Sequence, residues 1–319
     1  MSVEYPWLLP VWQSWQQLLN HDRLTGAMLV NAPSGLGVAS VVNEFARALV
    51  CSNSNDEACG FCHSCELSKS GSHPDIHWVI PEKAGKAITV DQIRQCNHWA
   101  QESSQLAGRR LIVIDPADAM NESASNALLK TLESPSASCV FILVTRSKHH
   151  LLPTITSRCQ LWNVALPKRQ DTIAWLNMQT DVSVSEEALS LCHDAPLTTL
   201  AFYQDGHHTS YEALRQAFAS ELSKPVLSVS SLWSLLKDDC TVRLGWLSYL
   251  LVQVQKQHFG LAVDATMTNL TRLISYDVAY QKAGELNRMI EQLNQFTGLN
   301  TELLVANWLL DLHGKRNVC

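Results

Sequence analysis

The chain has 319 residues, more than one ordinary hydrophobic core supports, so its length predicts two or three domains. Its 24 Lys and Arg residues against 30 Asp and Glu give a net charge of −6, which argues against a protein that binds nucleic acid over its whole surface. No apolar run approaches the ~18 residues of a membrane span, and no basic segment followed by an apolar stretch begins the sequence, so we expect a cytoplasmic protein with no membrane partner.

The first predicted elements are a helix over residues 11–24, a strand over 27–30 and a helix over 38–50. Apolar residues at helical spacing indicate the helices, and an uninterrupted apolar run indicates the strand. A loop, residues 31–40, joins the strand to the second helix and contains Pro33, Gly35 and Gly37. This order of strand, loop and helix is the structural context of a phosphate-binding P-loop.

The P-loop template is G-x-x-x-x-G-K-[ST], in which the lysine binds phosphates and the hydroxyl binds Mg²⁺. On that template Ala32 and Gly37 occupy the two glycine positions. Val38 occupies the lysine position and Ala39 the hydroxyl position. We therefore predict a degenerate loop that keeps the scaffold and forms no functional ATP site. Amides around Gly35 and Gly37 leave weak anion binding open, because phosphate binds to loop amides without a lysine.

An insertion over residues 51–73, rich in Ser, Asn, Gly and Cys, interrupts the α/β pattern. Its cysteines form two overlapping C-x₂-C units with one thiol upstream, a spacing that places four thiolates around Zn²⁺ and leaves no open position for catalysis. We predict a structural zinc bound by Cys51, Cys59, Cys62 and Cys65. The alternative is a group of ordinary or redox-active thiols, and the competing ligands are the nearby histidines, His63, His73 and His77.

Further strands and helices alternate after the insertion. The strand at residues 139–145 is apolar throughout, as expected of a strand buried on both faces of a parallel sheet. Such alternation predicts a doubly wound α/β domain. The predicted strands are residues 76–80, 110–115 and 139–145, and the predicted helices are 90–101 and 121–133.

From about residue 167 the strand patterns disappear. Residues 168–205 predict a small helical unit, and from about residue 209 only helical patterns follow. The apolar positions in these helices repeat at helical spacing, so an all-α bundle is predicted to close the chain. The residues that carry this pattern include Val242, Trp246, Leu250, Val254, Leu286, Leu303, Trp308 and Leu312.

A carboxylate ends the strand predicted at residues 110–115. An acid at this place beside a P-loop usually holds Mg²⁺, and in ATPases a following Glu polarises the attacking water. Here Asp115 is followed by Pro116, so the acidic motif is degenerate as well. The missing lysine, hydroxyl and glutamate together argue against hydrolysis. An ordinary strand, turn and helix beside a strand-end Asp would explain the local shapes but not their occurrence together.

Residue 158 is an arginine near a predicted helix end, within the segment 152–159. A guanidinium supplied to a neighbour's nucleotide stabilises charge on a transferring γ-phosphoryl group, with effects of ~10³ to 10⁵ on the rate. Taken alone, an exposed arginine is usually a solvated surface residue. The meaning of Arg158 therefore depends on the family of the protein.

Two motifs and two larger features together resemble one family. The motifs are the octapeptide at residues 128–135, Leu-Leu-Lys-Thr-Leu-Glu-Ser-Pro, and the triplet Ser157-Arg158-Cys159. The larger features are the four-cysteine insertion and the C-terminal helical bundle. Together they resemble the clamp-loader subunits of bacterial DNA polymerase III, which belong to the AAA+ class. The degenerate P-loop is similar to that of a non-hydrolysing member.

The resemblance implies three domains: an α/β AAA+ P-loop-type domain over residues 1–166 with the zinc-binding insertion 51–73, a small helical lid over 167–207, and an all-α collar over 208–319 through which subunits assemble. The implied partners are the motor (gamma/tau) and delta subunits, and the complex loads the sliding clamp onto primed DNA during replication. The resemblance also implies that the nucleotidyltransferase activity of the DNA-directed DNA polymerase resides in another subunit, and the degenerate motifs predict no intrinsic ATPase here.

In this family the arginine of the Ser-Arg-Cys triplet is presented to the ATP site of an adjacent subunit, which implies that Arg158 acts in trans. The family's zinc ligands correspond to the four cysteines named above. Its sensor-2 region corresponds to residues 194–198, which contain no arginine. The alternatives are an autonomous P-loop nucleotide-binding switch or ATPase, and a zinc-module DNA-binding protein. The latter is disfavoured because no Lys or Arg lies between Cys51 and Cys65.

Overall fold

The computed structural model describes residues 3–24, 26–83, 85–106, 108–261, 265–296 and 298–316. The chain forms two compact units. The first unit runs to Trp175 and also includes Asp194–Thr198, and the second consists of Leu176–His193 and the residues from Thr199 onward. The domain boundaries expected at residues 166 and 207 stay predictions. Of the described helices, none has the length and apolar character needed to cross a bilayer.

A parallel sheet is the centre of the first unit. Its strands are β1 Ala27–Asn31, β2 Ile76–Val79, β3 Arg110–Ile114, β4 Cys139–Thr145 and β5 Gln160–Asn163. All five pair in parallel, in the order β2-β3-β4-β1-β5. Every residue of β3 and β4 is buried, because both faces of these strands are covered. The predicted α/β fold and the buried strand at residues 139–145 are confirmed.

The sequence does not predict β5, which lies at one edge of the sheet and pairs only with β1 in the described part of the chain. Its side chains alternate between half-buried and exposed. An edge strand this short has no continuous apolar run, so nothing in its own composition distinguishes it from a loop. Its place is set by pairing with a strand more than a hundred residues earlier in the chain.

Helices cover the two faces of this sheet. They are α1 Leu9–Asn20, α2 Val38–Leu49, α3 His63–Lys69, α4 Val90–Gln101, α5 Glu122–Glu133 and α6 Pro153–Thr156. Helix α1 ends before the predicted residue 24, since Asp22 has a left-handed backbone with φ of 53° that an α-helix does not continue through. Helix α3 lies in the insertion and is not predicted. It begins within the C-x₂-C unit formed by Cys62 and Cys65, where the Cys65 N–H donates to Cys62 Sγ at 3.4 Å.

The remaining elements described along the chain are helices, as predicted. They are α7 Arg169–Gln179, α8 Glu186–Leu191, α9 Pro196–Gln204, α10 His207–Ser223, α11 Val229–Leu236, α12 Cys240–His258, α13 Ala265–Leu273, α14 Tyr276–Gln295 and α15 Thr301–Gly314. Most residues of the predicted apolar pattern are buried. Two are not: Val242 is 50% exposed and Leu303 is 56% exposed, and both lie in the first turn of their helices.

A buried lysine joins two helices of the second unit. The ammonium of Lys282 in α14 pairs with Glu285 at 2.5 Å and with Asp311 of α15. Trp308 of α15 donates its indole N–H to the Lys282 carbonyl at 3.3 Å. Burial alone would lower the pKa of Lys282, but the hydrogen bonds to Asp311 and Glu285 outweigh burial and raise it. The ammonium form therefore holds α14 and α15 together.

Candidate functional site

The loop between β1 and α2 has an apolar side chain where a P-loop has its cation. Gly35 and Gly37 have φ of +79° and +70°, left-handed values that glycine adopts without strain. Val38, the first residue of α2, is only 7% exposed and its side chain belongs to the hydrophobic core. Ala39 is exposed. The loop therefore leads into a helix as a P-loop does, with neither a cation nor a hydroxyl at positions 38 and 39.

Residues of the predicted sensor-2 region pack directly on this loop. The Leu197 N–H donates to the Gly35 carbonyl at 3.0 Å. A Cβ at Gly35 would lie 2.3 Å from Thr198 Oγ1 and 3.0 Å from the Ala195 Cβ. Gly35 is thus needed both for its backbone conformation and for the close approach of Ala195 and Thr198. One side of the loop is covered by the protein itself.

Aromatic residues near the start of the chain also contact the loop. The Trp7 indole N–H donates to the Leu36 carbonyl at 2.9 Å. A Cβ at Gly37 would lie 2.2 Å from the Tyr5 ring. Tyr5 and Trp7 stack with centroids 5.3 Å apart, and Trp175 meets Trp7 edge-on at 5.0 Å. Tyr5 and Trp7 lie directly beside the loop and Trp175 packs on both of them, and these three rings are called the aromatic cover.

Asp115 follows β3, at the same carboxyl edge of the sheet as the loop after β1. Burial raises the pKa of Asp115, and the charge of Arg146 offsets only part of the rise. The nearby Asp118 carboxylate accepts from Thr145 Oγ1 at 2.8 Å and from the Arg146 N–H at 3.1 Å. Burial and the neighbouring Asp118 carboxylate thus both disfavour the charged form of Asp115.

Arg158 lies just after α6, with 32% of its side chain exposed. One guanidinium nitrogen, Nη1, donates to the Thr154 carbonyl at 2.7 Å. The other, Nη2, donates to Glu133 Oε1 at 2.5 Å. The guanidinium is therefore held by two contacts at the surface of the first unit while part of it stays accessible.

The four predicted metal ligands come together in the insertion. Among the described residues, the sulfur atoms of Cys51, Cys59, Cys62 and Cys65 all lie within 4.8 Å of one another. The sulfurs of Cys59 and Cys65 are 3.9 Å apart. Tetrahedral zinc with bonds of ~2.3 Å places its sulfur ligands ~3.8 Å apart, so this spacing fits a Cys₄ site. No histidine joins this group in the described part of the chain.

Backbone amides point at the thiol groups. The Cys59 N–H donates to Cys51 Sγ at 3.4 Å. The Ser52 N–H is the main reason that the pKa of Cys62 falls to about 6, whereas burial raises the pKa of Cys65 to about 12. Cys62 therefore favours the thiolate, the form that binds a metal, without help. Cys65 needs a cation beside it to become a thiolate. Such oriented N–H groups are typical of a thiolate metal centre.

Acidic residues of the insertion contact α1. Gln16 donates to Glu57 at 2.9 Å, and Asn20 donates to Asp56 at 3.2 Å. Both acids stand just before Cys59. The insertion is therefore joined to the α/β unit by its acidic side chains, and these face α1.

Comparison with known proteins identifies the family. A family model described as DNA polymerase III, delta subunit, matches residues 9–168, and a second model, of the C-terminal region of the delta subunit, matches residues 207–314. DNA polymerase III subunit delta' of Escherichia coli K12 is 33% identical over 96% of this chain and 94% of its own length. The same subunit of Haemophilus influenzae is 32% identical over 98% of both chains. The chain belongs to the DNA polymerase III subunit delta' family. Among solved structures, a gamma subunit-related protein of Thermotoga maritima is 18% identical with a TM-score of 0.49, covering 95% of this chain and 99% of that one.

Two features of this delta' family member escape sequence reasoning. One is the aromatic cover, because nothing in the local pattern near residue 5 indicates contact with a loop thirty residues later. The other is the pairing of Arg158 with Glu133. A signal for the second was available, since Glu133 belongs to the octapeptide and Arg158 to the triplet that carry the family resemblance.

Proposed function

We propose that this chain is a non-hydrolysing clamp-loader subunit that presents Arg158 to the ATP site of a neighbouring motor subunit. Its partners are the motor (gamma/tau) and delta subunits and, through the complex, the sliding clamp and primed DNA in the cytoplasm. The observation that carries this proposal is the contrast between two sites. Arg158 is held at the surface and partly accessible, whereas the chain's own loop has a buried valine in place of the phosphate-binding cation.

Arg158→Ala is expected to lower ATP turnover at the neighbouring motor site by at least ~10-fold, because an arginine supplied in trans stabilises the charge on the transferring phosphoryl group. Assembly should be unaffected, since the side chain lies at the surface. The measurement is ATPase activity of the reconstituted loader in the presence of clamp and primed DNA, alongside size-exclusion chromatography of the complex.

Arg158→Lys and Arg94→Ala are the matched variants for this experiment. Lysine keeps the charge but cannot make the two-pronged guanidinium contact, so it should restore little of the rate. Arg94 is also an exposed, ion-paired arginine, and its side chain is 70% exposed on α4. Loss of Arg94 should leave the rate unchanged. An Arg158→Ala complex that turns over ATP at the wild-type rate would refute the role of Arg158.

We also propose that the loop forms no ATP site even when its missing side chains are restored. The double variant Val38→Lys with Ala39→Thr supplies the cation and the hydroxyl, but the aromatic cover and the contact between Leu197 and Gly35 stay in place. Isothermal titration with Mg²⁺ and ATP should show no binding tighter than ~1 mM in either the wild type or the variant. Tight Mg²⁺-dependent binding by the wild-type chain would instead support an autonomous nucleotide switch.

The four-cysteine cluster is proposed to hold a structural zinc. All four thiols are near one another, the observed sulfur spacing suits tetrahedral geometry, and four thiolates leave no position for a substrate. Zinc at this place would cross-link the loop after α2 to the first turn of α3. The acidic contacts from the insertion to α1 support a role in the architecture of the α/β unit rather than in DNA binding.

A further inference from the structure

The two motifs that carry the family resemblance meet in one ion pair. Glu133, the last residue of α5, belongs to the octapeptide, and Arg158 belongs to the triplet after α6. Arg158 Nη2 donates to Glu133 Oε1 at 2.5 Å, while Nη1 donates to the Thr154 carbonyl at 2.7 Å. We infer that Glu133 is a positioning residue that holds the Arg158 guanidinium in the orientation it uses at the neighbour's nucleotide. This inference rests on the proposed function of Arg158.

The carboxylate is fixed because the end of α5 is fixed. Pro135, two residues after Glu133, packs against Gly26 so closely that a Cβ at Gly26 would lie 2.3 Å from the Pro135 Cγ. The Gly26 carbonyl accepts from the Phe141 N–H of β4 at 2.9 Å. The segment that follows α5 is therefore packed tightly against the residue that precedes β1 in the sheet. Glu133 stands at a defined place rather than on a loose helix end.

The backbone around Arg158 is held in place as well. Ile155 of α6 is fully buried, and the Arg158 N–H donates to the Ile155 carbonyl at 3.1 Å. Ser157 Oγ donates to the Thr154 carbonyl at 3.2 Å, and Cys159 packs against the core of the first unit. In the triplet, the serine thus closes the end of α6 and the cysteine anchors the chain. Only the long side chain between them needs a partner to define its direction.

These contacts leave guanidinium N–H donors available for a phosphate. A guanidinium has five N–H donors, and the described contacts use two of them, on two different nitrogens. Half of the Glu133 side chain and about a third of the Arg158 side chain are exposed, so the pair lies at the surface. Because Arg158 is already held in one rotamer, less freedom is lost when it meets a phosphate. An inhibitory contact, or latch, that keeps Arg158 away from the neighbour's nucleotide would use the same ion pair. Loss of Glu133 would lower the ATPase rate if the pair positions Arg158 and raise it if the pair is a latch.

The test is Glu133→Gln in the reconstituted loader. We expect ATP turnover at the neighbouring site to fall about fivefold, which corresponds to ~1 kcal/mol, with an unchanged KM for ATP. Adding Glu133→Gln to Arg158→Ala should cause no further loss, because Glu133 acts only through Arg158. Glu133→Asp keeps the charge and should restore part of the rate. Glu122→Gln, at the other end of α5 and exposed, is the matched control and should change nothing.

A second measurement does not depend on assembly. Relaxation of the Arg158 side-chain ¹⁵N nuclei in the full chain should show a more mobile guanidinium in Glu133→Gln than in the wild type. Unchanged mobility would overturn the inference. So would a Glu133→Gln rate that is unchanged or higher, the latter indicating a latch. If Arg158→Ala slows turnover and Glu133→Gln does not, the inference fails alone. If Arg158→Ala has no effect, the proposed function fails with it.

Discussion

Removal of zinc from the four-cysteine cluster is expected to unfold α3 and the loop around it while the sheet stays folded. The insertion has almost no core of its own, since Ser64 and Cys65 are the buried residues of α3. Structural zinc sites contribute ~10–16 kcal/mol in small zinc-finger peptides, so even a fraction of that free energy dominates this segment. Amide hydrogen exchange in α3 should accelerate by at least ~10³-fold, equivalent to ~4 kcal/mol, whereas exchange in β3 and β4 should change little.

Metal analysis supplies the matched comparison. The purified chain should contain one equivalent of zinc, and Cys65→Ser should lose it. Cys240→Ser makes the same change at a half-buried cysteine outside the cluster and should retain the metal. Less than one equivalent in the untreated wild type, or full retention in Cys65→Ser, would rule out a Cys₄ zinc site.

The second large effect is expected for Asp75→Ala, which removes the buried carboxylate that pairs with Arg110 and leaves it only the partly exposed Glu102, 3.1 Å away, as an acidic partner among the described residues. Asp75 and Arg110 have side chains that are 0% and 1% exposed, and their charged groups are 3.3 Å apart. Asp75 also accepts from the backbone N–H groups of Gln105 and Leu106, both at 2.8 Å. Breaking a buried ion pair from one side costs ~3–5 kcal/mol because the remaining charge stays desolvated. The free energy of unfolding of the sheet should fall by that amount.

Asp91→Ala is the control for Asp75→Ala. Asp91 also pairs with an arginine, at 2.8 Å, but the two side chains are 80% and 70% exposed. Its loss should cost no more than ~1 kcal/mol. Native-state hydrogen exchange of β2 and β3 amides against urea concentration measures both values for this sheet. A difference between the two variants of less than ~1 kcal/mol would contradict a stabilising role for the buried pair.

Short-range patterns carry most of what the sequence predicts here. The strands β3 and β4 are unbroken apolar runs, so their burial follows from composition alone. The cysteine cluster is predictable because its two overlapping C-x₂-C units bring three of the four ligands close together within a short stretch of chain. Helix α3 and strand β5 are missed for the opposite reason. The first is stabilised by a cysteine cap inside a polar loop, and the second by pairing with a distant strand.

Long-range contacts are what the sequence cannot supply. Pairing of Asp75 with Arg110, of Glu133 with Arg158, and of Leu197 with Gly35 joins segments that only the folded chain brings together. Apart from the two family motifs that contain Glu133 and Arg158, no local signal in the sequence distinguishes these contacts. The loop without a lysine is visible in the sequence, but its closure by the aromatic cover is visible only in the structure.

The covered loop also constrains how this chain could change over evolutionary time. Val38 lies in the core and Gly37 lies against the Tyr5 ring, so a lone lysine at position 38 would begin in a dry, crowded environment where an unpaired charge is costly. Clearing the cover first would expose apolar rings with no compensating ligand. Neither order of change gains anything until several substitutions are complete. Regaining a nucleotide site at this loop would therefore require several substitutions at once.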